Sequence, residues 1–265
     1  MLRPDATSLL VCGTTGESPT LSHEEKIALI EATLQLVAGR IPVIAGTGTN
    51  ATQDTVELTQ EVDRLGVNGL LVVAPYYNKP SQEGIYQHFL RVASHTDQPI
   101  LIYNIPGRTS VNIQTETMIR LAQIPNIIGV KESSGDFTQI ARVRNETPKP
   151  FLVYSGDDKY TLPIMALGGD GVVSVCSHLV GEEMTQLVDA MENGDLIEAR
   201  RVNARLFPVY EEIFRTSNPV LVKAGLNMLG IPVGGVRLPL VDATFEEKRS
   251  LRRVLGEITN LAQLH

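Results

Sequence analysis

Cysteine occurs only twice in the 265 residues, as Cys12 and Cys176, each inside an apolar segment. Two isolated thiols, each in an apolar segment, read as core packing in a reducing compartment rather than as a disulfide or a metal site. No His or Cys pairs have zinc-ligand spacing, so no metal is expected. Basic runs are also missing, and with a net charge of −7 no nucleic-acid partner is expected. No apolar stretch approaches the roughly 18 residues that span a bilayer. The start, MLRPDATSLLVCG, lacks the charged, apolar and small-residue regions of a signal peptide. These absences point to a cytoplasmic protein with no membrane partner. What is present, 43% hydrophobic and 20% charged residues, is an ordinary globular composition, enough for one large core or two small ones.

Seven short apolar runs punctuate the first two thirds of the chain: SLLVCG from Ser8, PVIAGTG from Pro42, GLLVVAP from Gly69, PILIYNIP from Pro99, IIGVKESS from Ile127, FLVYSGDD from Phe151 and GVVSVCSH from Gly171. Being nearly continuous in Val, Ile and Leu, they predict buried parallel strands. Helical patterns lie between them. In the first, Ser22 and Glu25 form a capping box, Ile27, Ile30, Leu34 and Val37 share a face, and Gly39 ends it. Others are TQDTVELTQEVDRLG and QEGIYQHFLRVASHT. The repeat fits a (β/α) barrel or a doubly wound sheet, and the polar, glycine-containing stretches at the strands' C-terminal ends favour the barrel. After His178 the pattern is helical, at about 182–192, 196–214, 219–229 and 245–262. The expected organisation is a barrel over 1–180 and a helical extension over 181–265 packed on it, with GIPVGGVRLPL as turn punctuation.

Lys131 is the residue most in need of explanation. An ammonium in a core strand has a desolvation cost that lowers its pKa, and a neutral amine attacks a ketone to give a Schiff base. A strand-end lysine snorkelling to water is the competing reading. Tyr103 and Lys131 are each the fifth residue of consecutive strands, and alternation puts Leu101 with Tyr103, and Gly129 with Lys131, on matching faces. If that face is the interior, phenol and amine meet, with Gly129 leaving space beneath the lysine. A phenol of pKa about 10 is a poor base alone. Thr14 and Thr15 of GTTGES and Tyr76 and Tyr77 of PYYNKP offer relay hydroxyls, although threonines after a strand also read as turn or cap residues and paired tyrosines as an amphipathic rim. Arg108 could hold a carboxylate over the barrel mouth. AGTGTN lacks the third glycine and distal acid of a dinucleotide site and reads as a tight turn. Asp157 and Asp158 read as a helix N-cap.

Together GTTGES, PYYNKPSQEGIYQHF, YNIPGRT, GVKESSGD and SGDD, in this order and spacing, closely resemble the 4-hydroxy-tetrahydrodipicolinate (dihydrodipicolinate) synthase family of pyruvate-dependent aldolases, over essentially the whole chain. GTTGE and the lysine strand are shared across the wider superfamily, which includes N-acetylneuraminate lyase; YNIPGRT is more specific. The resemblance implies an α/β fold, a TIM (β/α)8-type barrel with C-terminal helices, and condensation of pyruvate with L-aspartate 4-semialdehyde on the route to lysine, with no cofactor. It implies that Lys131 forms the Schiff base and that Tyr103 shuttles protons through Thr15 to Tyr77, the last reaching in from a neighbouring subunit of a homotetramer or homodimer. Arg108 would bind the semialdehyde carboxylate and Thr14 and Thr15 the pyruvate carboxylate, with Gly156 and Val173 lining the pocket. Ser18, His23, Asn50 and Tyr76 match an allosteric lysine site, but Lys26 replaces the histidine and Asp54 the glutamate of sensitive enzymes, so weak or absent feedback is expected.

The family barrel has eight strands. Seven are visible here and Ser8–Gly13 matches the second, so the first strand and its helix, about 30 residues, are expected to be missing, leaving exposed edges. Two other readings follow: a pyruvate aldolase acting on a sugar acid or hydroxy-oxo-acid, which Arg108 disfavours, and a catalytically silent barrel-derived binding protein.

Overall fold

The computed structural model describes residues 7–258, in two compact units. The first comprises Thr7–Gly13 and Ser22–Val173 and holds all seven expected strands: β1 (Leu9–Val11), β2 (Val43–Gly46), β3 (Gly69–Val73), β4 (Ile100–Asn104), β5 (Ile127–Glu132), β6 (Leu152–Ser155) and β7 (Gly171–Val172). They form one sheet in sequence order, with every neighbouring pair parallel. Such an order requires a helical return of the chain between strands. The returns are α1 (His23–Val37), α2 (Thr52–Arg64), α3 (Gln82–Ala93), α4 (Pro106–Thr109), α5 (Thr115–Leu121), α6 (Phe137–Glu146) and α7 (Thr161–Ala166).

One apolar cluster shows that the sheet curls as in a TIM barrel. Leu71, Leu101 and Tyr103 form its centre, and Leu10, Ile44, Val73, Ile105, Tyr154 and Val173 pack around them. On the other face α3 buries Ile85, Phe89 and Val92 completely. The capping box at Ser22 and Glu25 forms as expected. The helix stops one residue earlier than the glycine suggested: Ala38 already takes the left-handed conformation (φ 48°), and Gly39 follows at φ 73°.

The second unit comprises Thr14–Leu21 and, among the described residues, 174–258. Its helices are α8 (Ser177–Glu192), kinked at Val180, α9 (Leu196–Ile213), α10 (Val220–Met228) and α11 (Phe245–Ile258). Residues 259–262 of the last expected helix lie outside the described residues. Gly194, at φ 74°, turns the chain between α8 and α9, and Asp195 caps α9 by accepting from the Glu198 amide. Leu179, Leu187, Val202, Leu206, Tyr210, Leu221, Leu251 and Leu255 fill the helical core. A β-carbon on Gly225 would come within 2.9 Å of Leu179, so glycine there lets α8 and α10 approach. No helix among the described residues is long and apolar enough to cross a membrane.

Candidate active site

The register of β4 on β5 pairs Leu101 with Gly129, Tyr103 with Lys131 and Asn104 with Glu132. Tyr103 and Lys131 are both buried, and Nζ of the lysine lies 4.2 Å from the centroid of the tyrosine ring. The amine thus meets the phenol through the ring face, which favours an ammonium. Burial works against the charge and dominates: it pushes the Lys131 pKa from 10.5 down to about 8, opposed by the nearby Asp158 carboxylate and reinforced by the Arg108 cation. A pKa near 8 leaves about one lysine in ten neutral at pH 7, against roughly one in three thousand for an ordinary side chain. The snorkelling alternative fails because the side chain stays inside.

Gly129 plays a different part from the one the sequence suggested. Its β-carbon would lie 2.5 Å from the Leu152 carbonyl oxygen and 2.8 Å from Leu152 Cβ. The glycine admits the β6 backbone rather than leaving a void under the lysine. Space beside the lysine comes from Gly156 instead, where a β-carbon would stand 3.0 Å from Lys131 Cγ, 3.1 Å from its Cε and 2.1 Å from Ser133 Oγ. That serine hydroxyl is buried and makes no hydrogen bond among the described residues. Val173 packs against the Tyr103 cluster.

Arg108 lies in α4, exposed, with no ion-pair partner among the described residues. Tyr77 is 86% exposed and holds a left-handed backbone at φ 71°, a conformation that costs a bulky residue about 1 kcal/mol or more. Asp157 caps the turn Asp158–Tyr160, as expected of the pair. Asp158 is 1% exposed and its charge reaches Lys131. Adjacent carboxylates in sequence have separate fates because the tight turn directs one to the Lys159 amide and the other inward.

Thr14 and Thr15 belong to the second unit. The Thr14 carbonyl accepts from the Glu17 amide, and Thr15 Oγ1 accepts from Asn218 Nδ2 at 2.9 Å. Glu17, at φ 54°, takes Lys223 Nζ at 2.7 Å and the Arg237 amide at 2.8 Å. Lys223 also donates to the Gly235 carbonyl, and Asn227 to that of Gly234. GIPVGGVRLPL is therefore more than punctuation, because it latches the GTTGES loop. Asn218 and Lys223 carried no sequence signal, since their partners lie about 200 residues away.

Of the residues matched to a lysine site, His23 contacts Glu61 at 2.7 Å, Asn50 exchanges amide hydrogen bonds with Asn78, Lys26 and Asp54 lie on α1 and α2, and Tyr76 is half-exposed. Ser18, in the second unit, opens a short 3-10 turn.

Residues 3–258 match the model of the Dihydrodipicolinate synthetase family. The chain belongs to that family. It is similar to the 4-hydroxy-tetrahydrodipicolinate synthase of Bacillus velezensis, with 51% identity over 97% of this chain and 89% of the relative. That of Listeria welshimeri is 54% identical over 93% of this chain and 85% of the relative. Among solved structures, a dihydrodipicolinate synthase from Bacillus anthracis superposes with a TM-score of 0.93 at 45% identity, covering 95% of this chain and 86% of that one. Family membership gives the TIM-barrel-like architecture and the buried lysine a common setting.

Proposed function

We propose that this chain is a lyase of the class I aldolase type, condensing pyruvate with L-aspartate 4-semialdehyde to give 4-hydroxy-tetrahydrodipicolinate on the diaminopimelate route to lysine. The observation that carries the reading is the buried Lys131 over the Tyr103 ring, with its pKa lowered to about 8 and the Arg108 cation acting on it.

The neutral amine adds to the pyruvate ketone and water leaves, giving an iminium. Loss of a methyl proton gives an enamine, which attacks the aldehyde carbon; the product's amine then displaces the lysine as the ring closes. The imine is itself the electron sink, so the chemistry requires no cofactor. In this reading Tyr103 moves protons, linked through Thr15 to Tyr77. Thr14 and Thr15 hold the pyruvate carboxylate, Gly156 and Val173 shape its pocket, and Arg108 binds the semialdehyde carboxylate. The exposure of Tyr77 supports its service to a neighbouring subunit, and with it a homodimer or homotetramer; work in the cytoplasm is part of the same reading. The reading also takes β1 as the family's second strand, with no counterpart of the first strand and helix among the described residues.

Borohydride reduction with pyruvate followed by intact-mass analysis tests the central claim. A pyruvate-sized adduct is expected on the unaltered chain and not on Lys131→Ala. Folded protein without an adduct would overturn the assignment and bring forward the catalytically silent alternative.

A further inference from the structure

One residue beyond Lys131 the strand carries a second buried charge. Glu132 is 1% exposed, and alternation along β5 points it away from the lysine, to the outer face of the sheet. Burying a carboxylate is expensive unless hydrogen bonds or an opposite charge compensate, and Glu132 has no ion-pair partner among the described residues. Its compensation comes from neutral donors. Asn104 Nδ2 lies 3.2 Å from each carboxylate oxygen, and the Ser134 amide donates to Oε1 at 2.6 Å. Burial still raises the Glu132 pKa, opposed by these bonds from Ser134 and Asn104.

The network continues outward. Asn104, fully buried, also donates to Asn112 Oδ1 at 2.9 Å and accepts from the Ile113 amide at 3.1 Å. Asn112 and Gln139 of α6 exchange two amide hydrogen bonds at 2.8 and 3.2 Å. Asn104 precedes the loop 105–113, and Asn112 and Ile113 close it, so this one side chain fastens both ends of the segment carrying Arg108. The same carboxylate fastens the first turn of ESSGD, directly after Lys131.

We infer that Glu132 is a positioning residue for the condensation: through Asn104 it fixes the Arg108 loop relative to Lys131, and so sets recognition of the second substrate rather than formation of the Schiff base. The inference rests on the proposed roles of Lys131 and Arg108. Its geometric basis is that Asn104 and Glu132 are register partners one step beyond Tyr103 and Lys131. The inner pair does the chemistry, and the outer pair holds the loops at its mouth.

The test uses Glu132→Gln, which sets an amide NH2 against the Asn104 amide or the Ser134 N–H. The expected result is a rise of about tenfold or more in KM for aspartate semialdehyde, with borohydride trapping of pyruvate on Lys131 retained. If Glu132→Gln folds poorly, Asn112→Ser cuts the loop-side link while leaving the carboxylate paired, and should raise the same KM by a smaller factor. Unchanged KM in these variants, or a parallel fall in trapping and turnover that follows only the fraction folded, would overturn the inference. Failure of trapping on the unaltered chain would instead overturn the underlying assignment of Lys131.

Discussion

The Lys131 ammonium lies over the face of the Tyr103 ring at 4.2 Å, so the charge is stabilised by the aromatic face while burial opposes it. Because the folded pKa is about 8 against an ordinary 10.5, the neutral nucleophile becomes the major form only above pH 8. The rate of Schiff-base formation with pyruvate should rise through pH 8 and then level. Arg108→Leu removes a cation that lowers this pKa and should move the midpoint up; Asp158→Asn removes an anion that raises it and should move the midpoint down. Stopped-flow trapping across pH 6–10 measures both, and midpoints that do not move in opposite directions would contradict this electrostatic account.

The same lowered pKa has a stability consequence. Between about pH 8 and 10.5 the unfolded chain binds the lysine's proton and the folded chain does not, so this residue's destabilising contribution is full below pH 8 and fades as pH rises to 10.5. The drop corresponds to roughly 3 kcal/mol at neutral pH. Lys131→Met should therefore melt higher than the unaltered protein at pH 7, with the difference shrinking towards pH 10, while losing all trapping. A lower melting temperature at pH 7 would show that the lysine's packing outweighs its desolvation.

Gly156 is predicted to be intolerant for a local reason. A methyl group there would meet Ser133 Oγ at 2.1 Å and the lysine stem at 3.0 and 3.1 Å, and backbone strain is not involved because its φ is not positive. Gly156→Ala should slow trapping by about tenfold or more through displacement of Lys131. Adding Ser133→Ala, which removes the worst contact, should recover part of the rate. Equal rates for the two variants would mean that the lysine stem alone is disturbed.

The strands, the inward pairing of Tyr103 with Lys131 and the barrel-like class were legible because parallel strands buried on both faces must be continuously apolar, so two polar residues at equal height stand out. Asn104 and Glu132 carried the same signal one position later and were open to the same argument. Gly129 was misread because sequence spacing gives the face of a residue but not how closely the next strand approaches. The Thr15–Asn218 and Glu17–Lys223 contacts were invisible, since no local pattern reports a partner some 200 residues away.

Glu17 and Lys223 form a mostly buried ion pair. Burial would raise the Glu17 pKa, but the hydrogen bond from Lys223, the Arg237 amide and both cations overcome that and hold it below the ordinary 4.5. Its stabilising contribution is thus present above about pH 4.5 and lost as pH falls through the lower folded value. Lys223→Met should cost about 3 kcal/mol at pH 7, measured by urea denaturation, with the deficit narrowing below pH 4. A deficit independent of pH would assign the loss to packing.

Feedback by lysine should be weak or absent. Lys26 brings a cation to the helix that carries His23, one of the positions matched to the family's lysine site, so a ligand ammonium would meet repulsion there. A lysine titration of the initial rate tests this, and strong micromolar inhibition would contradict it. Lys26→His should then increase sensitivity.

Tyr77 provides the test of assembly. Its ring is 86% exposed on a backbone at φ 71°, so a strained conformation is maintained to hold an aromatic side chain outside its own unit's core. If the hydroxyl serves a neighbouring copy, Tyr77→Phe and Lys131→Ala proteins, each nearly inactive alone, should complement when unfolded together and reassembled. A mixed pair has one site with an intact lysine from the first variant and an intact tyrosine from the second. Random mixing of dimers then gives about one quarter of the unaltered activity, because half the pairs are mixed and each has one working site of two. No activity above the sum of the separate variants, in a sample shown by mass to contain mixed pairs, would place the Tyr77 hydroxyl in its own subunit's chemistry or in none.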